Sequence, residues 1–213
     1  MKNSILQPNW VKSTKSTRFH QLQPYFVDKD VLDIGCAVGY HKTDWMHGNI
    51  KVVAKNLYGI DLDRGAIEII KEKGYNVDFG DAQNFDLGRK FNFIHAGELI
   101  EHLDNPGGFL KSVYKHLEED GEVLITTPNG LRVNNVIYAS TGGLKVNAEH
   151  TCWFCEYTLR TLFERMGFEI VEVGYLKHET FGVFRKIMLK LRTALLPDRV
   201  AWNTVYVVAK KKA

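Results

Sequence analysis

The stretch Val31-Leu32-Asp33-Ile34-Gly35-Cys36-Ala37-Val38-Gly39-Tyr40 decides the fold. Val31, Leu32 and Ile34 read as a short buried strand, and Gly35 and Gly39 fall in the turn that leaves it. Glycines there let the backbone turn sharply and approach a ligand at the carboxyl end of a first strand. A dinucleotide loop would read G-x-G-x-x-G with its pyrophosphate on a helix N-terminus. Ala37 takes the middle glycine position, so that fingerprint fails. Asp33 beside the loop would repel a pyrophosphate but suits a ligand with an ammonium and a sulfonium group. The plainer alternative for Asp33 is a carboxylate that stabilises the loop.

Outward from this loop, short apolar runs alternate with amphipathic ones. Further strands are expected at Leu57–Ile60, Asn76–Phe79, Phe91–His95, Glu122–Thr126, Glu169–Tyr175 and Thr204–Ala209. Helical spacing marks 15–27, Arg64–Lys73, Pro106–Leu117 and Cys155–Met166, the last closed by Gly167. The expectation is an α/β, Rossmann-like fold. Its seven-stranded, mostly parallel sheet would carry helices on both faces and an antiparallel hairpin at one edge. With 213 residues, 45% hydrophobic and 25% charged, the chain reads as one globular domain over 1–213. Residues 1–30 would form a helical cap. Three cysteines make no disulfide framework, and no signal or membrane-spanning run stands out, so a cytoplasmic location is expected.

Two segments break the alternation. Gly130–Glu149 reads as a long irregular connection, expected to be an active-site loop. Residues 181–196 read as a basic amphipathic helix, with Phe184, Ile187, Met188, Leu191 and Leu195 on one face. The simplest expectation is packing on the core, and peripheral membrane contact is the alternative. From Lys177 onward there are nine Lys/Arg against two Asp/Glu within a net charge of +3, so the body is mildly acidic. That distribution argues against a nucleic-acid coat, although it leaves room for one anionic partner.

The next two strands also end in acids. Asp61 closes the second, 26 residues after Gly35, where a carboxylate can accept bonds from ribose hydroxyls. Asp81 follows the third, where it can accept a bond from an adenine amino group, with the Ala82 N–H beside it. Three acidic strand ends describe a crevice for a phosphate-free nucleoside.

From about Thr17 to Lys210 the sequence resembles class I S-adenosylmethionine-dependent methyltransferases, in the group that contains quinone-biosynthesis O-methyltransferases. VLDIGCAVG, YGIDLD, GDAQ, ELIEHLDNPGGFLKSVYKHLEEDGEVLITTPN and HTCWFCEYTLRTLFERMGFE carry the likeness. The resemblance implies S-adenosylmethionine held by Asp33, Gly35, Cys36, Ala37 and Gly39, with ribose at Asp61 beside Leu62. Adenine would lie at Asp81, Ala82 and Gln83, and Ala96 would border the cofactor at the end of the fourth strand. Two positions depart from the pattern: Ala37 replaces a usual glycine, and Asn92 stands where the fourth strand often carries Asp.

Glu98-Leu-Ile-Glu101-His102 follows the fourth strand. If helical, it sets Glu98, Glu101 and His102 on one face at i, i+3 and i+4. With His150, returning from the long loop, these groups could hold Mg2+ or Mn2+ through oxygen and nitrogen. They could equally supply a metal-free base, from His102, His150 or Glu98, or serve as structural caps. The E-x-x-E-H arrangement resembles metal-using branches among quinone O-methyltransferases and small-RNA 2′-O-methyltransferases. Zinc at His150, Cys152 and Cys155 lacks a fourth ligand, and CWFC reads better as an aromatic wall. A base near the acceptor favours oxygen over nitrogen, because a neutral amine needs no deprotonation before attack.

The expected function is O-methylation of a small hydroxylated acceptor such as a quinol precursor, a sugar or a specialised metabolite. Metal-assisted methylation of an RNA ribose is the second reading, and a non-catalytic binding protein on the same fold is the third. The long loop, the N-terminal helix and the basic helix would shape the acceptor pocket, with Trp10, Phe19, Tyr25, Tyr138, Trp153 and Phe154 as candidate walls.

Overall fold

One seven-stranded sheet takes up all seven expected strands. A computed structural model of the chain describes residues 18–143, 146–177 and 183–212. The strands are β1 (Asp30–Ile34), β2 (Asn56–Asp61), β3 (Val77–Phe79), β4 (Phe91–Gly97), β5 (Leu117–Pro128), β6 (Phe168–Leu176) and β7 (Thr204–Lys211). Their order is β3-β2-β1-β4-β5-β7-β6. The first five run parallel, and β7 inserts antiparallel between β5 and β6. The antiparallel pair is therefore no tight hairpin, because two helices lie between β6 and β7 in the chain.

The helices are α1 (Arg18–Leu22), α2 (Met46–Val53), α3 (Arg64–Glu72), α4 (Pro106–His116), α5 (Val133–Ser140), α6 (Glu156–Arg165), α7 (Val183–Leu195) and α8 (Asp198–Ala201). Local chemistry explains their starts. The Asp63 carboxylate caps α3 by accepting from Ala66 N, and Asn105 caps α4 by accepting from Gly108 N ahead of Pro106. Helix α2 escapes a pattern reading because Gly48 and the Val52–Val53 pair lower helix propensity. Burial of His47, Asn49 and Ile50 holds it nonetheless.

Alternate residues of the strands feed opposite faces. Leu32, Ile34, Ile94 and Ile125 pack against Phe109 and Val113 of α4 and Phe163 of α6. Val31, Phe93 and Leu124 pack on the other face against Phe19, Leu22, Phe26 and Ile50. Each fully buried side chain of this kind stabilises the fold by roughly 1.5–3 kcal/mol. On β2, Gly59 is fixed by close approach, since a Cβ there would lie 2.7 Å from both Cys36 Sγ and His47 Cε1. Neither buried group can retreat, so Gly59→Ala should lower stability by about 1–3 kcal/mol through overpacking. Chemical denaturation tests this, and an unchanged midpoint would refute it.

Two expectations need correction. The stretch Gly130–Glu149 is not irregular throughout, because α5 occupies Val133–Ser140. Of the apolar stripe expected on helix α7, Ile187, Leu191 and Leu195 are exposed rather than packed on the core. The expectations for Trp10, Phe181 and most of the N-terminal cap lie outside the described residues, as do the side chains of Phe184 and Met188. Among the described residues no helix is long and apolar enough to cross a membrane.

Candidate functional site

The parallel strands β1, β2 and β4 end side by side, and the loops that follow them meet at the carboxyl edge, where open α/β sheets bind their ligands. Gly35 and Gly39 sit at φ +80° and +81°, so the turn needs residues free of a Cβ. The loop is tied down from β2. Gly35 N and Cys36 N donate to Ile60 O, and Ala37 N donates to Asp61 Oδ2 at 2.8 Å. Asp61 Oδ1 accepts from Asp63 N, so each oxygen of this carboxylate keeps one lone pair for a ligand hydroxyl. Leu62 is exposed on the rim. Asp81 is exposed and accepts from Gln83 N at 2.9 Å, and Ala82 is half-buried beside it.

Several residues expected to line the crevice lie beneath it instead. Asp33 is only 3% exposed, as its side chain turns under the sheet edge. Its oxygens accept from two buried imidazoles, His47 Nδ1 at 2.8 Å and His95 Nδ1 at 2.7 Å. Burial alone would raise its pKa, but the bonds from His47 and His95, with their attraction, pull it down to about 2. Asp33 is thus a fixed anion inside the protein, spent on two histidines rather than on a ligand's ammonium group. Alternation along the strand explains this, because Asp33 shares its face with His95 and the residues packed under α1 and α2.

Cys36 and Ala96 are also buried, Cys36 toward α3 and Ala96 within the sheet core. Burial and the neighbouring Asp33 and Asp61 charges push the Cys36 thiol far up, so it is no nucleophile. Gln83 Oε1 accepts from Asn105 N at 2.6 Å, which spends that oxygen on the start of α4 rather than on adenine.

The segment after β4 is not a helix face. Glu98 stands in the left-handed region at φ +53°, and only Ile100–His102 form a turn of 3-10 helix. The reversal breaks the expected helix face and gives Glu98 partners of its own. Its carboxylate lies 3.4 Å from Arg18 Nη2 and accepts from Thr126 Oγ1 at 3.2 Å. Glu98 therefore does not join the ligand set expected of it. Glu101, His102 and His150 do converge, their ligand atoms all within 4.8 Å of one another.

His150 arrives there by a staple that no fixed spacing predicts. Glu101 O accepts from Thr151 N at 2.8 Å and Cys152 N at 3.2 Å, while Thr151 Oγ1 donates to Leu103 O at 2.8 Å. The His102 and His150 rings then meet edge to face with centroids 4.6 Å apart. Glu101 is 2% exposed, and Thr127 Oγ1 donates to its carboxylate at 2.9 Å. Burial, reinforced by the Glu98 charge, pushes its pKa up to about 7. Burial and the neighbouring His102 lower that of His150, so this imidazole is neutral at physiological pH.

Glu101 and His150 border a cavity of about 220 Å³ walled also by Asn129, Arg132, Asn135 and Trp153. Among the aromatics expected in the pocket, Trp153 lines it, whereas Phe19 and Phe154 are core. Tyr25 is held away by its bond to Glu172. Arg132 was not anticipated as a wall. Its position at the start of α5, inside a segment read as irregular, hid it. For a divalent cation, Glu101, His102 and His150 fit as an oxygen-and-nitrogen donor set, since a buried carboxyl titrating near 7 would readily exchange its proton for a metal.

The carboxyl edge of this doubly wound sheet thus carries a glycine turn and the acidic residues Asp61 and Asp81, and Glu101 and His150 border a cavity. Residues 12–173 match the family model for a methyltransferase domain, and the chain belongs to that family. A protein of Mycolicibacterium smegmatis called "Probable S-adenosylmethionine-dependent methyltransferase" is 25% identical over 159 residues, covering 73% of this chain and 55% of that protein. A ubiquinone biosynthesis O-methyltransferase of Dechloromonas aromatica is 24% identical over 138 residues, 56% of this chain and 57% of that protein. The chain thus spans about half the length of these curated relatives. Among solved structures, a SAM dependent methyltransferase from Archaeoglobus fulgidus superposes with a TM-score of 0.65 at 19% identity, over 91% of each chain. That likeness establishes a shared fold.

Proposed function

We propose that this chain transfers the methyl group of S-adenosylmethionine to a hydroxyl oxygen of a small acceptor. The observation that carries this reading is the placement of Glu101, titrating near 7, and neutral His150 together on the cavity wall. The free lone pairs of Asp61 suit the two ribose hydroxyls, and exposed Asp81 suits the adenine amino group. The open-backbone turn at Gly35 and Gly39 leaves room for the amino-acid end.

In the transfer, the acceptor oxygen attacks the methyl carbon in line with the carbon–sulfur bond. That bond breaks, its electron pair returns to sulfur, and neutral S-adenosylhomocysteine leaves. The acceptor's proton passes to Glu101 or His150. Because the donor is already activated, holding the acceptor about 3 Å from the methyl group supplies much of the acceleration. The O-methyltransferase among the relatives supports oxygen as the acceptor atom.

A second reading, favoured by the convergence of Glu101, His102 and His150, adds Mg2+ or Mn2+. Such an ion would polarise the acceptor hydroxyl, and the same three residues would hold it. Labelled methyl transfer from S-adenosylmethionine to small-metabolite and RNA pools tests both readings. Label in hydroxylated small molecules is expected. Label confined to RNA, or no calorimetric binding of S-adenosylmethionine, would overturn the proposal. Turnover that survives a chelator would remove the metal.

A further inference from the structure

The acceptor cavity is not electrically neutral. Arg132 is the one arginine or lysine among the described residues that wall it. Arg132 is fixed in place rather than waving in solvent. Its Nε donates to Asn135 Oδ1 at 2.8 Å, and buried Asn135 is in turn anchored by donating to Gly130 O at 3.0 Å. This grip uses one N–H of the guanidinium and leaves the terminal fork, the part suited to two-pronged contact with an oxyanion. Among the described residues no carboxylate forms an ion pair with Arg132.

A second arginine deepens the anomaly. Arg192 of α7 lies close enough that Arg132's charge, after burial, pushes its pKa below the ordinary value. Its Nε is buried with no hydrogen-bond partner among the described residues. Two neighbouring guanidinium groups, partly desolvated and without a counter-ion among the described residues, are unfavourable as a purely structural arrangement. An anion beside them would satisfy both the repulsion and the open donors.

We propose that Arg132, backed by Arg192, forms an oxyanion-binding subsite in the cavity, and that the acceptor bears a carboxylate or phosphate besides its hydroxyl. This inference rests on the reading of the cavity as the acceptor site. A small molecule fits both the volume of about 220 Å³ and the single fixed fork. The subsite would orient the acceptor by its charged end and turn its hydroxyl toward Glu101 and His150.

The test follows arginine Nε–H resonances while sodium benzoate, phenyl phosphate or benzyl alcohol is titrated into the protein, with and without S-adenosylhomocysteine. Comparison with Arg132→Lys and Arg192→Gln assigns the signals. A saturable shift of the Arg132 signal by benzoate or phenyl phosphate, and none by neutral benzyl alcohol, is expected. The stronger of the two anions identifies the charged group. Arg132→Gln should weaken that binding about tenfold or more, the loss of a charge-assisted hydrogen bond. Arg132→Lys should lose less, and the affinity for S-adenosylhomocysteine should not move. Equal shifts by benzyl alcohol, no saturable shift, or unchanged affinity in Arg132→Gln would overturn the subsite. Failure to bind S-adenosylhomocysteine would instead strike the methyltransferase reading, and the anion result would still stand.

Discussion

Glu101→Gln is expected to lower kcat by about 10²- to 10⁴-fold, the contribution of a positioned general base. The cofactor should bind as before, since the strand ends that receive it are untouched. The substituted amide keeps the bond from Thr127, so the fold survives while the proton acceptor is lost. In the unaltered protein the rate should climb as pH rises through about 7, where Glu101 loses its proton. Stability should move in the opposite direction. A carboxyl whose folded pKa is raised from 4.5 to about 7 favours the folded state while protonated. That contribution is complete below about 4.5 and disappears as pH rises through 7. Urea midpoints should therefore fall over this window in the native chain and stay level in Glu101→Gln. A variant with kcat within a factor of about three of the native chain would dismiss Glu101 as the base and leave His150 as the candidate.

The second large effect belongs to Asp33. Asp33→Ala should cost about 3–5 kcal/mol, because it leaves two buried imidazoles without the carboxylate that orients them. Asp33→Asn should cost less, since its amide still offers one acceptor and a donor. For the native chain, a carboxyl held at about 2 stabilises the fold fully above its ordinary 3.8. The contribution, about 2 kcal/mol, is lost as pH falls from there through 2. Were Asp33 instead a direct ligand of the cofactor, Asp33→Ala would abolish S-adenosylmethionine binding with the denaturation midpoint unchanged. Calorimetry and urea unfolding of the same sample separate the two roles.

The strands were legible because burial on both faces leaves near-continuous apolar runs, and helix α4 because Asn105 and Pro106 mark its start. The glycine turn and the acidic ends of β2 and β3 were legible for the same reason, as their spacing is local. What the sequence concealed depends on direction and on distant contacts. Asp33 looks like a ligand in a linear motif, yet pleating turns it inward to His47 and His95, which lie 14 and 62 residues away. Glu98 reads as one helical turn from Glu101, but its own left-handed backbone breaks that helix and it pairs with Arg18. Nothing local foretells that Thr151 would bond to Glu101 O, and that contact is what brings His150 to His102. Arg132 went unnoticed because an arginine in an irregular stretch ordinarily means only solvent exposure.

The pairing of Asn129 with Phe154, together with the hold of Glu101 on Thr151, closes the chain on itself at both ends of the segment from Gly130 to Glu149. Closing a longer loop between fixed ends costs little more than closing a short one. This segment can therefore be lengthened, shortened or exchanged without disturbing β5, α6 or the crevice beneath. The cavity wall that carries Arg132 and Asn135 therefore sits on an exchangeable stretch of chain, while the strand ends and His150 lie outside it.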